Sequence, residues 1–189
     1  MTVGVLALQG AFREHKSTLE RLGINAILVA KPAELAECDA LIIPGGESTT
    51  IGRLLNAFGL MEPLLTKAQA GMPLFGTCAG MVLLARDIEG SDQPWLGLMD
   101  VTVRRNAFGR QVDSFETGLD IPALGKDLFP GVFIRAPYIT RVGPGVEILC
   151  QLQDKIVLVR QGNNLASAFH PELTGDYRVH RYFLQRCLA

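Results

Sequence analysis

Cys78 lies in a sequence pattern that could make a cysteine reactive. It is the centre of Gly76-Thr77-Cys78-Ala79-Gly80, which falls between a predicted strand and a predicted helix. Small neighbours permit a tight turn that pushes the side chain outwards. The turn would also place the sulfur at a helix N-terminus, where free N–H groups and the helix dipole favour the thiolate. Alone, the pattern fits a nucleophile and a buried structural cysteine about equally well.

A histidine and a carboxylate later in the chain could complete this chemistry. Phe169-His170-Pro171-Glu172 follows an apolar segment, and His170 comes 92 residues (170 − 78) after Cys78. Pro171 restricts the backbone and holds the imidazole and the carboxylate in a stiff arrangement. In thiol enzymes a histidine takes the cysteine proton and later protonates the leaving group, while a carboxylate fixes the histidine tautomer. We favour such a triad over a histidine that is merely capped by its neighbour.

A Gly-Gly turn is the third candidate element. Pro44-Gly45-Gly46-Glu47-Ser48-Thr49 follows a predicted strand, and glycine lets backbone N–H groups turn towards a developing oxyanion. We expect the N–H groups of Gly46 and Ala79 to be the oxyanion donors and Ser48 to cap the next helix. Taken alone, the segment fits an ordinary strand-to-helix turn better.

The elements that must position these motifs predict an α/β protein. Short apolar runs suit strands buried on both faces, and they alternate with amphipathic segments that end at glycine. We predict strands at 3–8, 24–29, 40–43 and 73–75, and helices at 11–22, 32–37, 48–57 and 61–70. In the second half we predict strands at 98–104, 111–116, 132–134, 146–152, 156–159 and 165–169, and a closing helix at 176–188. The length of 189 residues and the lack of a convincing linker predict one domain, 1–189.

Composition narrows the class of function. Lys and Arg number 18 against 19 Asp and Glu, so neither a nucleic-acid footprint nor an acidic tail is present. No apolar stretch is long enough for a membrane span, and we see no signal peptide. Four widely spaced cysteines indicate free thiols and a cytoplasmic protein; Cys38, Cys150 and Cys187 are interpreted as structural. We expect His15 and His180 on polar helix faces, and no metal site.

Three motifs in one order resemble those of the class I, or triad, glutamine amidotransferases: PGGEST at 44–49, GTCAG at 76–80 and FHPE at 169–172. VLALQGAFREH at 5–15, RNAFGRQVDSFE at 105–116 and FIRAP at 133–137 are similar to the glutaminase subunits of pyridoxal 5′-phosphate synthase. This similarity spans nearly the whole chain. It implies a flavodoxin-like, three-layer α/β fold with helices on both faces of a mixed, mostly parallel sheet.

The resemblance also implies an activity. Such a protein hydrolyses L-glutamine to L-glutamate and ammonia, and passes the ammonia to a separate, barrel-shaped synthase subunit in a heteromeric complex; it holds no cofactor of its own. The triad maps onto Cys78, His170 and Glu172. Substrate contacts map onto Gly46, Glu47, Ser48, Arg105, Ile134 and Arg135. Arginine suits the α-carboxylate of glutamine, because its guanidinium offers a planar fork of donors.

Two alternatives remain open at this point: another thiol hydrolase, such as a peptidase or a γ-glutamyl hydrolase, and a non-catalytic regulatory module of the same fold. For the glutaminase we expect low activity alone and activation by the synthase. One physical route is reorientation of the Gly45-Gly46 peptide on docking. We expect the docking surface at 9–13, at the carboxyl end of the first strand.

Overall fold

The computed structural model describes residues 1–91, 95–105 and 114–186. The α-helices within these ranges are α1 (Phe12–Arg21), α2 (Pro32–Ala36), α3 (Ser48–Ala57), α4 (Met61–Gln69), α5 (Ala79–Leu84) and α6 (Arg178–Arg186). The strands are β1 (Thr2–Leu6), β2 (Asn25–Val29), β3 (Ala40–Ile43), β4 (Leu74–Thr77), β5 (Ala85–Ile88), β6 (Met99–Arg104), β7 (Ser114–Leu119), β8 (Phe129–Ile134), β9 (Tyr138–Val142), β10 (Val146–Leu152), β11 (Lys155–Gln161) and β12 (Asn164–Ser167). Short 3-10 helices span Pro122–Leu124 and Pro171–Leu173.

Ten of these strands form one mixed sheet in the order β2-β1-β3-β4-β12-β11-β9-β6-β5, with β10 paired to β11. The half from β2 to β12 is parallel throughout, whereas β11 pairs antiparallel with β12, β9 and β10. Every residue of β3 and β4 is buried. Because successive side chains of a strand point to opposite faces, this half of the sheet is covered on both sides. The predicted α/β class with a mixed, mostly parallel sheet is confirmed.

A separate antiparallel hairpin, β7 with β8, packs against the end of β12 through aromatic rings. The rings of Phe129 and Phe133 in β8 lie with their centroids 5.6 and 5.7 Å from that of Phe169. All three side chains are fully buried, and such ring pairs add to the free energy gained by burial. The hairpin is therefore fixed next to His170, the residue that follows Phe169.

The sequence patterns missed two strands, β5 and β9. Each carries charged residues in a short segment, with no clean alternation of apolar and polar positions. Each becomes a strand by pairing with β6, which lies far from β9 in the sequence. Parts of two predictions fall outside the described residues, namely the first half of the strand at 111–116 and the end of the helix at 176–188. None of the helices within the described ranges has the length and apolar character that crossing a bilayer requires.

The parallel half of the sheet brings the three sequence motifs together. The Gly-Gly turn follows β3, Cys78 follows β4 and His170 follows β12 after two residues. These strands are neighbours, with Ile43 beside Gly76 and Thr77 beside Ser167. Carboxyl ends of parallel strands meet at one edge of a sheet, so all three motifs reach the same edge.

Candidate active site

Cys78 occupies a sharp turn between β4 and α5. Its backbone has φ 50° and ψ −102°, a left-handed conformation that is costly for a residue with a side chain. The backbone N–H of Cys78 donates to the carbonyl of Ser167 at 2.8 Å, which ties the turn to β12. The residue is only 7% exposed. The strained turn, the helix start and the restricted exposure agree with the nucleophile turn predicted from the GTCAG motif.

Gly80 explains why the motif needs small residues after the cysteine. A Cβ added at Gly80 would overlap the backbone oxygen of Ile43, so α5 can approach β3 this closely only with glycine at that position. The helix that follows the cysteine is therefore packed directly on the strand that leads to the Gly-Gly turn. This contact sets the distance between the cysteine and the turn.

His170 and Glu172 form a buried hydrogen-bonded pair. Nδ1 of His170 lies 2.7 Å from Oε1 of Glu172, and the glutamate side chain is completely buried. The backbone N–H of His170 donates to the carbonyl of Val132 at 2.8 Å, so β8 holds the histidine in place. Burial alone would lower the pKa of His170, but hydrogen bonds with Cys78 and Glu172 and the charge of Glu172 raise it to about 10. The imidazole is thus set up to carry a proton at neutral pH.

The structure brings Cys78 and His170 into contact across the Gly-Gly turn. Both side chains line one cleft and border Gly45: a Cβ added there would overlap Cε1 of His170 and lie 3.3 Å from Cβ of Cys78. The Glu172 carboxylate holds the imidazole through Nδ1, which leaves Nε2 for proton exchange with a nucleophile. Cysteine, histidine and glutamate therefore stand in the relative order that covalent thiol catalysis requires.

The Gly-Gly turn is held by the segment that follows β1. The backbone N–H of Ala11 donates to the carbonyl of Gly45 at 3.1 Å, and the N–H of Glu47 donates to Oε1 of Gln9 at 2.8 Å. Gly46 lies between these two anchors and borders the cleft in front of Cys78. The role of Gln9 was missed from the sequence, although it lies in the opening motif at 5–15.

Glu47, not Ser48, caps helix α3. The carboxylate of Glu47 accepts hydrogen bonds from the N–H groups of Thr49 and Thr50 at 3.0 and 2.7 Å. Burial would raise the pKa of Glu47, but the hydrogen bonds from these two threonines lower it. The expected cap at Ser48 was wrong by one residue, because the longer glutamate side chain can reach back to the free N–H groups of the first turn.

A cleft of about 410 Å³ opens in front of Cys78. Its lining includes all the predicted substrate and oxyanion residues. The complete lining is Gln9, Gly45, Gly46, Glu47, Ser48, Cys78, Ala79, Val82, Arg105, Ile134, Arg135, Pro137 and His170. Arg105 and Arg135 are exposed at its rim, and Nη1 of Arg105 lies 3.5 Å from Oγ1 of Thr49. Arg135 has φ 41°, so the end of the β7–β8 hairpin makes a left-handed turn at the cleft. Two guanidinium groups at one rim suit an anionic ligand.

The expectation that His15 and His180 lie on polar helix faces was wrong. Both residues are fully buried, since α1 and α6 turn these faces inwards behind the triad. Cys38 and Cys150 are free, buried thiols, and burial raises the pKa of each to about 11, as expected for structural cysteines. Cys187 lies outside the described residues.

Solved structures place the fold in a class. The chain matches a crystal structure described as a glutamine amidotransferase with a TM-score of 0.93 and 55% sequence identity, covering 99% of both chains. It also matches the structure of PurLQS from Thermotoga maritima with a TM-score of 0.72 over 99% of this chain and 96% of that one. At 15% identity, the second match concerns the fold alone. The fold is thus that of the glutamine amidotransferases.

The sequence comparisons narrow the class to a family. The family model described as "SNO glutamine amidotransferase family" matches residues 5–189, and the chain belongs to this family. A relative from Pelotomaculum thermopropionicum is 63% identical over 188 residues, which is 100% of this chain and 96% of the relative. A relative from Moorella thermoacetica is 62% identical over 185 residues, 98% of each chain. Both relatives are named "Pyridoxal 5′-phosphate synthase subunit PdxT".

Proposed function

We propose that this chain is the glutaminase subunit of a pyridoxal 5′-phosphate synthase. It hydrolyses L-glutamine to L-glutamate and ammonia, and a barrel-shaped synthase subunit in a heteromeric complex takes up the ammonia. The observation that carries the proposal is the meeting of Cys78, His170 and Glu172 at one edge of the sheet. The names of the full-length relatives support the particular substrate and partner.

The first half of the reaction forms a thioester. The thiolate of Cys78 attacks the side-chain amide carbon of glutamine, and the carbonyl oxygen becomes an oxyanion. When this intermediate collapses, the C–N bond breaks and His170 gives its proton to the departing ammonia. A γ-glutamyl thioester remains on Cys78. The buried carboxylate of Glu172 keeps the imidazole oriented, and its charge stabilises the protonated form.

The second half releases glutamate. His170, now neutral, takes a proton from a water molecule, which attacks the thioester carbon. The C–S bond breaks, glutamate leaves, and the pair of Cys78 thiolate and His170 imidazolium is restored. One histidine thus serves as acid in the first step and as base in the second.

We assign the oxyanion donors to the backbone N–H groups of Gly46 and Ala79. Ala79 is the first residue of α5, so its N–H has no acceptor within its own helix. Gly46 borders the same cleft from the opposite loop. Losing one such donor in comparable enzymes costs about 3 kcal/mol of transition-state stabilisation. We further assign Gly46, Glu47, Ser48, Arg105, Ile134 and Arg135 to the glutamine site, with the two arginines facing the α-carboxylate.

The synthase subunit is expected to activate this chain. Gln9 and Ala11 hold the Gly45-Gly46 loop directly, so a partner docked on residues 9–13 could change the orientation of its peptide groups. Minor conformations of proteins are commonly populated at about 0.1–10%, so full conversion to an active loop would raise kcat about 10- to 1,000-fold. The test is the rate of ammonia release from glutamine, with and without the co-expressed synthase subunit.

Three controls make this test specific. Asparagine, which is one methylene shorter than glutamine, should be hydrolysed poorly in both conditions. γ-Glutamyl peptides should also be poor substrates, since a peptidase or γ-glutamyl hydrolase would favour them. The complex should form pyridoxal 5′-phosphate with glutamine as the nitrogen source. Equal glutaminase rates with and without the synthase would refute the activation, and failure to hydrolyse glutamine in the complex would refute the proposed function.

Replacing Gly45 with alanine is expected to reduce glutamine turnover by about 100-fold or more. The added Cβ overlaps Cε1 of His170, and misplacing a catalytic group by about 1 Å can cost that much. Gly175→Ala is the matched control, because a Cβ there meets nothing within 4 Å. Steady-state rates and thermal unfolding of both variants provide the comparison. Full turnover by Gly45→Ala would show that this contact does not hold the histidine.

We also propose that residues 1–189 act as one glutaminase domain in the cytoplasm. The free thiols of Cys38, Cys78 and Cys150 support a reducing compartment. The continuous buried core supports a single domain, since it includes residues of both the parallel half and the antiparallel half of the sheet.

A further inference from the structure

Two buried histidines lie directly behind the candidate triad. His15 on α1 and His180 on α6 are each completely buried, and Nδ1 of His15 lies 3.0 Å from Nε2 of His180. Histidine is seldom fully buried without a polar partner on each ring nitrogen. Within the described part of the chain, no three metal-ligating side chains are placed to hold a metal ion, so the pair is not part of such a cluster.

The second nitrogen of His15 faces the triad carboxylate. Nε2 of His15 lies 3.3 Å from Oε2 of Glu172 and 3.1 Å from Oγ1 of Thr77. The other carboxylate oxygen, Oε1, is the one bound by His170. Glu172 therefore has a histidine nitrogen near each oxygen: His170 is hydrogen-bonded to Oε1, and His15 approaches Oε2 without an aligned hydrogen bond. His15 has no part in the reaction described above.

The carboxylate decides where the ring protons lie. If His15 carried its proton on Nδ1, it would turn a lone pair towards Glu172, and His180 would bury an Nδ1–H without an acceptor in the described structure. With both protons on Nε2, His180 donates to His15, and the Nε2–H of His15 donates to Oγ1 of Thr77 at 3.1 Å and lies 3.3 Å from Oε2 of Glu172. Two buried atoms have no aligned hydrogen bond in the described structure, Nδ1 of His180 and Oε2 of Glu172, and in this arrangement Oε2 faces an N–H at 3.3 Å instead of a lone pair. The second arrangement turns a donor, and not a lone pair, towards the charged group, which is the most costly one to leave without a donor nearby.

The surroundings keep both imidazoles neutral. Burial lowers the pKa of His15, even though Glu172 and Glu14 act in the opposite direction, and nearby His170 lowers it further. Burial also lowers the pKa of His180 to about 3. Burial would raise the pKa of Glu172, but His15 and His170 outweigh it, and the carboxylate stays ionised. A neutral donor can hold this carboxylate without competing with the imidazolium of His170 for its charge.

We propose that His15 is a positioning residue for the triad: His180 fixes its tautomer, and its Nε2–H, 3.3 Å from the outer oxygen of Glu172, stabilises the charge there so that the inner oxygen faces His170. This inference rests on the proposed glutaminase function, and it extends the triad to a series of polar side chains from His180 on α6 through His15 and Glu172 to His170. The effect on Cys78 is indirect. A carboxylate that is held and ionised stabilises the imidazolium, and the imidazolium stabilises the thiolate.

Two amide variants of His15 distinguish a role in positioning Glu172 from a role that only fills space in the core. The side-chain amide of glutamine can reach the place of Nε2, and that of asparagine only the place of Nδ1. His15→Gln therefore can donate to Glu172, whereas His15→Asn cannot. The readout is the rate of Cys78 alkylation by iodoacetamide as a function of pH, followed by mass spectrometry of the peptide that contains Cys78. Only the thiolate reacts, so the profile reports the charge state of the sulfur directly.

We expect His15→Asn to slow the alkylation about tenfold at neutral pH and to shift the midpoint of the profile upwards by about one pH unit. His15→Gln should keep a profile close to that of the unsubstituted protein. Its kcat for glutamine should exceed that of His15→Asn by a similar factor, with little difference in KM. A purely structural role would instead lower the unfolding temperature of both variants and leave the two alkylation profiles alike.

Each outcome has one meaning. Equal profiles for His15→Asn, His15→Gln and the unsubstituted protein would overturn the positioning role and leave the triad intact. If Cys78 of the unsubstituted protein reacts no faster than Cys78 in Glu172→Gln, the triad and the proposed function fail instead. Should neither His15 variant fold, His180→Phe removes only the donor to His15; an unchanged profile in that variant overturns the proposal, and an upward shift supports it.

Discussion

Cys78→Ala is expected to abolish glutamine hydrolysis while leaving a folded protein. The substitution removes the only atom that forms the thioester, and loss of a nucleophile from a triad typically lowers kcat by about 10⁴-fold or more. The backbone at Cys78 already has φ 50°, so alanine introduces no new strain there. One sulfur atom at a site open to the cleft is removed, so we expect the free energy of unfolding to change by about 1 kcal/mol or less.

The measurement is ammonia release from glutamine in the presence of the synthase subunit, with thermal unfolding of each variant. Cys150→Ala is the matched control. Cys150 is also a buried free thiol, but it lies in β10 and does not line the cleft. This control should hydrolyse glutamine at the unsubstituted rate. Normal turnover by Cys78→Ala would disprove the covalent mechanism, and a comparable loss in Cys150→Ala would show that the effect is one of folding.

Glu172→Gln is expected to lower kcat by about 10³- to 10⁴-fold, the scale observed when the acidic member of a triad is neutralised. Glutamine has nearly the same shape, so the change is mainly one of charge. Without the negative charge the pKa of His170 falls from about 10, and less imidazolium is present to stabilise the thiolate at neutral pH. The amide can also donate to Nδ1, which favours the tautomer that cannot accept a proton from Cys78.

The kcat–pH profile of Glu172→Gln should shift in a definite direction. The active form needs a protonated His170, so the basic limb of the kcat profile reports loss of that proton, and it should move to lower pH in Glu172→Gln. Glu147→Gln serves as the control, because it removes an exposed carboxylate whose partner is Arg160, outside the cleft. An unshifted basic limb in Glu172→Gln would mean that the carboxylate does not tune the imidazole.

Much of the local structure could be predicted because its causes lie within a few residues. The end of helix α3 at Ala57 was predicted as observed, and so were both bounds of strand β3, from a continuous apolar run that ends at Pro44. The sharp turn at Cys78 was predicted from its small neighbours. The cap of α3 was assigned to Ser48 rather than to Glu47, because the reach of a side chain depends on its rotamer and not on its position in the sequence.

Other features depend on neighbours that the sequence does not reveal. Strand β9 is held beside β6, and its own residues carry little signal. The burial of His15 and His180 was not predicted, because a histidine on an amphipathic helix is expected to be exposed to solvent unless the helix that packs against it is known. Their contact joins residues separated by 165 positions.

By itself, the sequence determined which side chains could do chemistry and that each would lie at the end of a buried strand or in a glycine-rich turn. Those properties follow from residue type, glycine and proline geometry and the spacing of apolar residues, all of which act locally. The tertiary structure alone decided that β4 and β12 are neighbours, which brings His170 to Cys78, and that α1 and α6 enclose two neutral histidines behind Glu172. The order of the strands and the side of each helix that packs inwards depend on burying the apolar surface of the whole chain together, so they cannot be predicted from any short segment.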